Sequence, residues 1–549
     1  MFSADDLWNN GNGFVGYYGY DYLGNRTRKA FSFTDFTNDE ANRSVGSFAP
    51  VYNAVWLQDK FQFKDLILRL GVRVERYDAN QSGLKDAYSV YPTYSAGEIK
   101  NINSGRGANL LSGYDIPTTI GDDYVVYVND ITNPTKILGY RDGGNWYDAS
   151  GSELSSPDLI AQEGNSDRIQ PFLQDEEENL VKESFSDYEP VINVLPRIWF
   201  SFPINSEAQF FANYDKLAQR PANGNTFAPI STYYYMQQNQ GAVVPNAHLK
   251  PRVTTSYEFG FKQTLSRNSA LSLIASYKET RGDYTLVRIN QAYPISYNSY
   301  ENLDFETIKS FRAEYELRGE GRTSFGLNYT LLFADGTGSN SNSSAALIAA
   351  NQPNLRSLYP TSRDTRHQIT ALLDYRFKGG NDYTGPIWFD KKFFANSGAN
   401  LIVSTKSGEP YSAYINPAAS ASFGAAQRQS LDGNPFGSRL PWQFKVDGNF
   451  NKNFSIKKKN TKDDFRRQSM EMQVFLWVQN IFNNKNIRSV YGYTGLANND
   501  GWLSSPQGIQ DAETQVNTQS YLDLYNVKVN NPYLYNTPRL TRLGVKVFF

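Results

Sequence analysis

Reactive chemistry near neutral pH usually starts from histidine, cysteine or paired carboxylates, and this chain is short of all three. Its two histidines are His248 and His367, and it has no cysteine. That leaves no disulfide framework, no CxxC redox pair and no cysteine zinc site. Acidic groups do cluster, at Asp175–Glu178, Asp122–Asp123 and Asn499–Asp500. Oxygen ligands of this kind suit Ca²⁺, but none of the spacings follows an EF-hand loop, and a solvated loop is the simpler reading. The tripeptide Arg281–Gly282–Asp283 has the letters of an adhesion motif, at a length that chance supplies. The segment Asp335–Gly338 and the Ser/Asn run behind it lack the lysine and spacing of a phosphate-binding loop. No nucleophile–base pair stands out, so the expectation is a protein that is not an enzyme, with no cofactor and no metal.

Binding is the better prospect. Tyr233, Tyr234 and Tyr235 form a run of rings in a loop. They are candidates for stacking on a ligand, touching a partner or forming a ring cluster. Charges also recur at every second position, in Arg69, Arg73 and Glu75, and again in Arg312, Glu314, Glu316 and Arg318. Lys+Arg is 54 and Asp+Glu 55, a formal charge of -1. A nucleic-acid partner would call for a basic excess. Aromatic residues reach 15% at a mean hydropathy of -0.55, a heavy load of rings for so polar a chain.

The elements that position these residues follow from period-two alternation. Leu66, Leu68, Leu70, Val72 and Val74 alternate with Ile67, Arg69, Gly71, Arg73 and Glu75. Phe311, Ala313, Tyr315 and Leu317 alternate with the second charged set. The pattern returns at 257–262, 324–334, 367–377 and 442–450. These segments run to about ten residues, enough to cross a bilayer at a tilt, where soluble strands centre on about five or six. Thirteen strands are predicted, at 51–62, 65–78, 190–202, 206–215, 253–265, 270–281, 305–318, 323–335, 365–378, 393–408, 439–452, 468–482 and 539–549. Short links (63–65, 203–205, 266–269, 319–322) alternate with long ones (79–189, 216–250, 282–304, 336–363, 409–438, 487–538). The link 379–392 is longer than the other short ones, and 483–497 has room for part of another strand.

Long loops on one rim and short turns on the other are the arrangement of an outer-membrane β-barrel. The expected fold is therefore all-β, a transmembrane antiparallel β-barrel with long extracellular loops and short periplasmic turns. The charged sets would face the lumen, since an Arg or Lys on the lipid face at midplane costs about 2–4 kcal/mol. Residues 1–50 are expected to be an extracellular remnant and 51–549 the barrel. The opening MFSADDLWNN is not a signal peptide. With an odd strand count it leads to the expectation that an N-terminal portion is absent from this chain.

The end of the chain, TPRLTRLGVKVFF, places Leu543, Val545, Val547 and Phe549 on one face and closes on an aromatic residue. It resembles the assembly signal read by the outer-membrane insertion machinery. The stretches 55–81, PRIWFSFPI (196–204), NAHLKPRVTTSYEFGFKQTLS (246–266) and VQNIFNNKNIRSVYGYTG (478–495) resemble TonB-dependent receptors. The similarity is to the Bacteroidota type that carries a carboxypeptidase-regulatory-like N-terminal domain, and it runs from about residue 50 onward outside the long loops. Arg252 departs from it, standing where the family more often has Glu after Leu-Lys-Pro. The resemblance implies about thirteen of roughly twenty-two strands. It also implies a plug domain and a TonB box, neither of which is recognisable in this chain.

Three readings of function follow. The first is TonB-dependent uptake of a large or scarce nutrient, with the TonB system reached through the N-terminal part. The second is a transport-inactive barrel acting as a scaffold, its loops docking a surface lipoprotein. The loop 79–189, roughly 110 residues, is longer than a simple gating loop needs and suits partner binding under either reading. The third, a secreted soluble carbohydrate-binding β-protein, predicts solubility without detergent.

Overall fold

Ten-residue alternation with rings and branched residues on one face can be satisfied only by long strands that present that face together. The computed structural model shows this arrangement. It describes residues 45–101, 115–164, 168–175, 177–319, 322–349, 356–421, 429–456 and 470–548, the segments 23–26 and 33–38, and residues 6, 9, 20 and 43. Among them are thirteen long wall strands: β1 (Val51–Phe63), β2 (Leu66–Asp78), β3 (Val191–Pro203), β4 (Ala208–Gln219), β5 (Arg252–Ser266), β6 (Ser269–Ile289), β7 (Tyr297–Arg318), β8 (Thr323–Gly336), β9 (His367–Phe377), β10 (Ser397–Lys406), β11 (Gln443–Ile456), β12 (Met470–Gln479) and β13 (Leu540–Phe548). Each pairs antiparallel with the next in sequence, from β1 through to β13. The result is an antiparallel meander of the barrel-wall kind. It is not closed among the described residues, where β1 and β13 each have one wall partner. No described helix is long and apolar enough to cross a membrane.

The register carries the apolar face unbroken across the strands. One row reads Phe61, Leu68, Phe200, Ala212, Phe259, Ala275, Phe311 and Leu331, passing from β1 to β8. Another reads Leu373, Leu401, Gly448 and Val478 on β9 to β12. This face is open: Leu57 is 73% exposed, Phe259 56% and Leu543 75%. Burial lies elsewhere. Of the largest fully buried side chains, Leu195 alone belongs to a wall strand, while Tyr127, Tyr140, Phe172 and Leu249 belong to the long connections. A sheet whose apolar face is bare and whose connections hold the cores is inside-out relative to a water-soluble sandwich.

The connections depart from expectation in two places. The segment 282–304 is not a long loop: β6 continues to Ile289 and β7 begins at Tyr297. The hairpin passes through a bulge where the register shifts between Arg281 and Tyr284, and Gly282 sits there at φ +69°. Beyond the bulge both faces are covered, with Thr285, Leu286, Ser299 and Tyr300 all buried. Period two disappears from the sequence once neither face meets solvent or lipid. The segment 483–497 adds no strand to the wall, and its one pairing is the isolated bridge Ile487–Tyr535.

The long connection after β2 is folded rather than loose. Its strands run in the order Glu153–Leu154, Asn145–Asp148, Ile137–Asp142, Val125–Val128 and Gln170–Pro171. Gly143 at φ +54° turns the hairpin between the second and third of them, a conformation that glycine adopts at no steric cost. Ser95 and Glu98 form a reciprocal capping box on the helix Ala96–Lys100. Most of residues 1–50 lies outside the described residues. Within this segment Phe36 lies beside Tyr235, and Phe48 stands 5.1 Å from Phe227, both at the long-connection end.

Candidate functional site

The sequence concentrates charge on the second face of the wall, and register decides which charges meet. On β2 the Arg73 guanidinium pairs with Glu75 and donates from Nη2 to the Tyr52 hydroxyl at 2.9 Å. The Arg69 guanidinium stands 4.8 Å from the centre of the Trp199 ring. Arg220 covers Tyr52 at 4.7 Å. Arg69, Arg73 and Glu75 thus share one neighbourhood with Tyr52, Trp56 and Trp199. On β7, Arg312 lies 2.8 Å from Glu314 and Arg318 lies 3.4 Å from Glu316. The two groups are five strand spacings apart, roughly 24 Å along the sheet, so they do not form one site.

A shared rule underlies these pairs. Residues i and i+2 of a strand project from one face about 6–7 Å apart. Opposite charges at that spacing neutralise one another along the strand. Asp374 with Arg376 (2.8 Å) and Lys445 with Asp447 (2.7 Å) repeat the device on β9 and β11. The polar wall therefore carries charge in pairs, which suits contact with water or another polar surface better than capture of one ion.

The three tyrosines are separated by the fold. They fall on and just after the short helix Ile230–Tyr234. Tyr233 is buried in a cluster with Val90, Met236, Ile289 and Tyr297. Tyr235 is buried against Phe36. Tyr234 keeps a partly exposed ring, and its hydroxyl accepts from Arg43 Nη2 at 3.1 Å. Of the run, Tyr234 is the ring left for an external contact. Leu543, Val545 and Val547 lie on the apolar face of β13 opposite Leu476, Val474 and Met472. Phe549 lies outside the described residues.

The tyrosine cluster is part of a larger canopy in which connections remote in sequence pack on one another. The Tyr293 amide donates to the Tyr88 carbonyl at 2.9 Å, and the Tyr297 hydroxyl to the Ala87 carbonyl at 2.7 Å. A second cluster joins 407–442 to 480–539, where Asp500 accepts from the Tyr525 hydroxyl at 2.6 Å and the Ser420 amide at 3.1 Å. The carboxylate is thereby engaged by protein donors. Asp122 pairs with Lys100 at 2.8 Å, and Asp175 accepts from the Glu177 amide at 3.1 Å; Glu176 lies outside the described residues. No group of three His, Cys, Asp or Glu among the described residues is placed to hold a metal ion. His367 shares a 3.0 Å hydrogen bond with the Tyr329 hydroxyl and stacks on Trp442.

Two contacts escaped the sequence reading. Arg252 Nη1 donates to both Asp283 oxygens at 2.8 Å, and its Nε to Gln219 at 3.0 Å. The residue that departs from the family pattern thus ties the end of β4 and the start of β5 to the bulge in β6, and it engages the aspartate of the adhesion-like tripeptide. The departure itself was the available signal. The second is Arg141, buried among the rings of Tyr88, Tyr127 and Trp146 and paired with Asp86. Nothing in the sequence links residues so far apart.

The 79–190 connection should be sensitive to alkali. The Tyr124 hydroxyl is pushed up to about 12, first by its hydrogen bond to Tyr147 and then by desolvation. Burial raises Tyr127 as well, against the opposing pull of Arg141. A phenol whose folded value lies above its unfolded value of about 10 stabilises fully below pH 10 and loses that contribution as pH rises through the folded value. The expected result is opening of this unit between about pH 10 and 12, read as tyrosinate absorbance together with protease cleavage inside 115–164. Cleavage that begins well below pH 10, or none up to pH 12, would contradict it.

No family model and no curated protein matches the chain. Solved structures similar to it include the FrpB iron transporter from Neisseria meningitidis, at 11% identity and TM-score 0.38, covering 79% of this chain and 41% of that one. FpvA of P. aeruginosa, bound to a heterologous pyoverdine, is 10% identical at TM-score 0.39, covering 91% and 48%. The outer membrane transporter YddB from Escherichia coli is 10% identical at TM-score 0.39, covering 82% and 53%. The chain thus spans between two fifths and just over half the length of these structures.

Proposed function

We propose that this chain forms the barrel wall of an outer-membrane, TonB-dependent type of transporter that takes up a large or scarce nutrient. One observation carries the reading: thirteen wall strands present a continuous bare apolar face on one side and paired charges on the other. A bilayer is the solvent that rewards the first face, and a polar lumen suits the second. The folded connections gather at one end, which becomes the outer surface, and the terminal strand with Leu543, Val545 and Val547 becomes the signal for membrane insertion. Partners on this reading are the bilayer, the insertion machinery and the TonB system.

The scaffold alternative is supported by the folded state of the 79–190 connection, which offers a firm surface to a lipoprotein rather than a gating loop. One experiment separates the two. Strains lacking this protein, the inner-membrane energiser, or both are grown in competition under nutrient limitation, after fractionation confirms the protein in the outer membrane. Transport predicts equal, non-additive defects. A defect that persists unchanged when the energiser is already absent points to the scaffold, and a protein recovered in the soluble fraction overturns both.

A further inference from the structure

The bare face is not uniform. On β10 the apolar rows narrow to Ala399 and Ser397, flanked by Tyr375 and Phe377 on β9 and by Phe450 and Lys452 on β11, with Phe454 one step beyond. Small side chains between large ones leave a trough of about 540 Å³. Its floor is a single register row, Tyr375, Ala399, Phe450, Leu476 and Leu543, reaching across to β13. The connection 378–396 overhangs its short-turn end. There Phe394 packs 5.6 Å from Phe377 and 5.7 Å from Trp388.

A cation marks that end. Lys452 opposes Ser397 and so belongs to the apolar face, one step beyond Phe450. Its ammonium lies 4.7 Å from the Phe393 ring and donates to the Phe393 carbonyl. Lys391 and Lys392 lie in the same overhang, beside the exposed rings Trp388 (57%), Phe389 (97%) and Phe393 (58%). Lysine and exposed rings at the edge of an apolar face mark the headgroup level.

We propose that this trough holds one acyl chain of an anionic glycerophospholipid from the periplasmic leaflet, with its phosphate at Lys452. The inference rests on the membrane reading above. Within a bilayer, burying an acyl chain gains little from hydrophobicity, because lipid tails are already in an apolar medium. Selectivity must come from shape and charge: Ala399 supplies the room and Lys452 the charge.

The test uses the whole protein in mild detergent with added phosphatidylglycerol or phosphatidylethanolamine, and bound lipid is counted by native mass spectrometry. Wild type should retain one phosphatidylglycerol in preference to phosphatidylethanolamine. Lys452→Gln should weaken phosphatidylglycerol retention about five-fold, the factor matching roughly 1 kcal/mol per lysine at an anionic surface, and weaken phosphatidylethanolamine, whose own ammonium offsets its phosphate, by clearly less. Ala399→Trp should remove both. Lys452→Gln keeps the trough intact, so it tests the idea even where the larger residue prevents folding. Retention of no lipid, equal retention of the two lipids, or a co-purifying polypeptide released by Ala399→Trp overturns the proposal while leaving the barrel standing. Wild type that stays dispersed without detergent overturns the membrane reading itself.

Discussion

Leu401→Arg is expected to block stable insertion, while Asn400→Arg, one residue away, is expected to be tolerated. Leu401 lies at the centre of the apolar face of β10, between Leu373 and Gly448. An arginine there faces lipid near midplane, at about 2–4 kcal/mol, to which the lost leucine packing adds. Asn400 projects to the opposite face between Asp374 and Asn449. Its replacement places a guanidinium beside a carboxylate that already pairs with Arg376 at 2.8 Å, so the new charge meets an attractive partner. The measurement is the urea midpoint of each variant refolded into lipid vesicles, with protease protection as the check on insertion. Equal losses from both substitutions would show that the two faces are not divided between lipid and lumen. Equal tolerance would show that the apolar face does not meet a bilayer at all.

The second large effect is expected in the 79–190 connection. The Arg141 side chain is 4% exposed, and its pairing with Asp86 bridges 55 positions of sequence. Asp86→Ala leaves the guanidinium buried without its counter-charge, a change that commonly costs about 3–5 kcal/mol. Arg141 retains hydrogen bonds to the Tyr127 hydroxyl at 2.8 Å and the Gly143 carbonyl at 2.9 Å, and Asp86 is 24% exposed, so the lower end applies. About 3 kcal/mol corresponds to roughly a hundredfold loss of amide protection. Hydrogen exchange of the whole protein should show it within Val125–Val128 and Ile137–Asp142 and not in the wall strands. The double variant Asp86→Ala/Arg141→Met, which removes the charge, should recover part of the loss. Unchanged protection in Asp86→Ala would mean that water reaches Arg141 and that the ring cage around it is open.

These two effects divide along the line between local and remote information. Period two on β2, β7, β9 and β11 placed the strands to within a few residues, because successive side chains of a strand must take opposite faces. The same period put Arg312 with Glu314 and Asp374 with Arg376 on one face without knowledge of any neighbour. The alternation of short and long links was legible for the same reason, except at 282–304, where β6 and β7 run on and leave only 290–296 as the link. The periodicity failed where the structure covers both faces of a strand, as beyond Gly282, since alternation records a difference between two environments and there was none.

What remained belonged to contacts between distant segments. The run Tyr233–Tyr235 reads as three equivalent rings, yet two are buried by Phe36, Val90 and Ile289, and Tyr234 alone keeps an open ring. Arg252 gave notice of itself by its type, while its partner Asp283 became known only when the bulge in β6 brought it within 2.8 Å. The sequence by itself determined the wall, its register of faces and its two unlike rims, because a strand's side-chain period is local geometry. The tertiary structure alone decided that the long connections fold into a canopy with cores of their own, because burial of Arg141 and Tyr233 depends on residues that the chain brings together from 50 or more positions away.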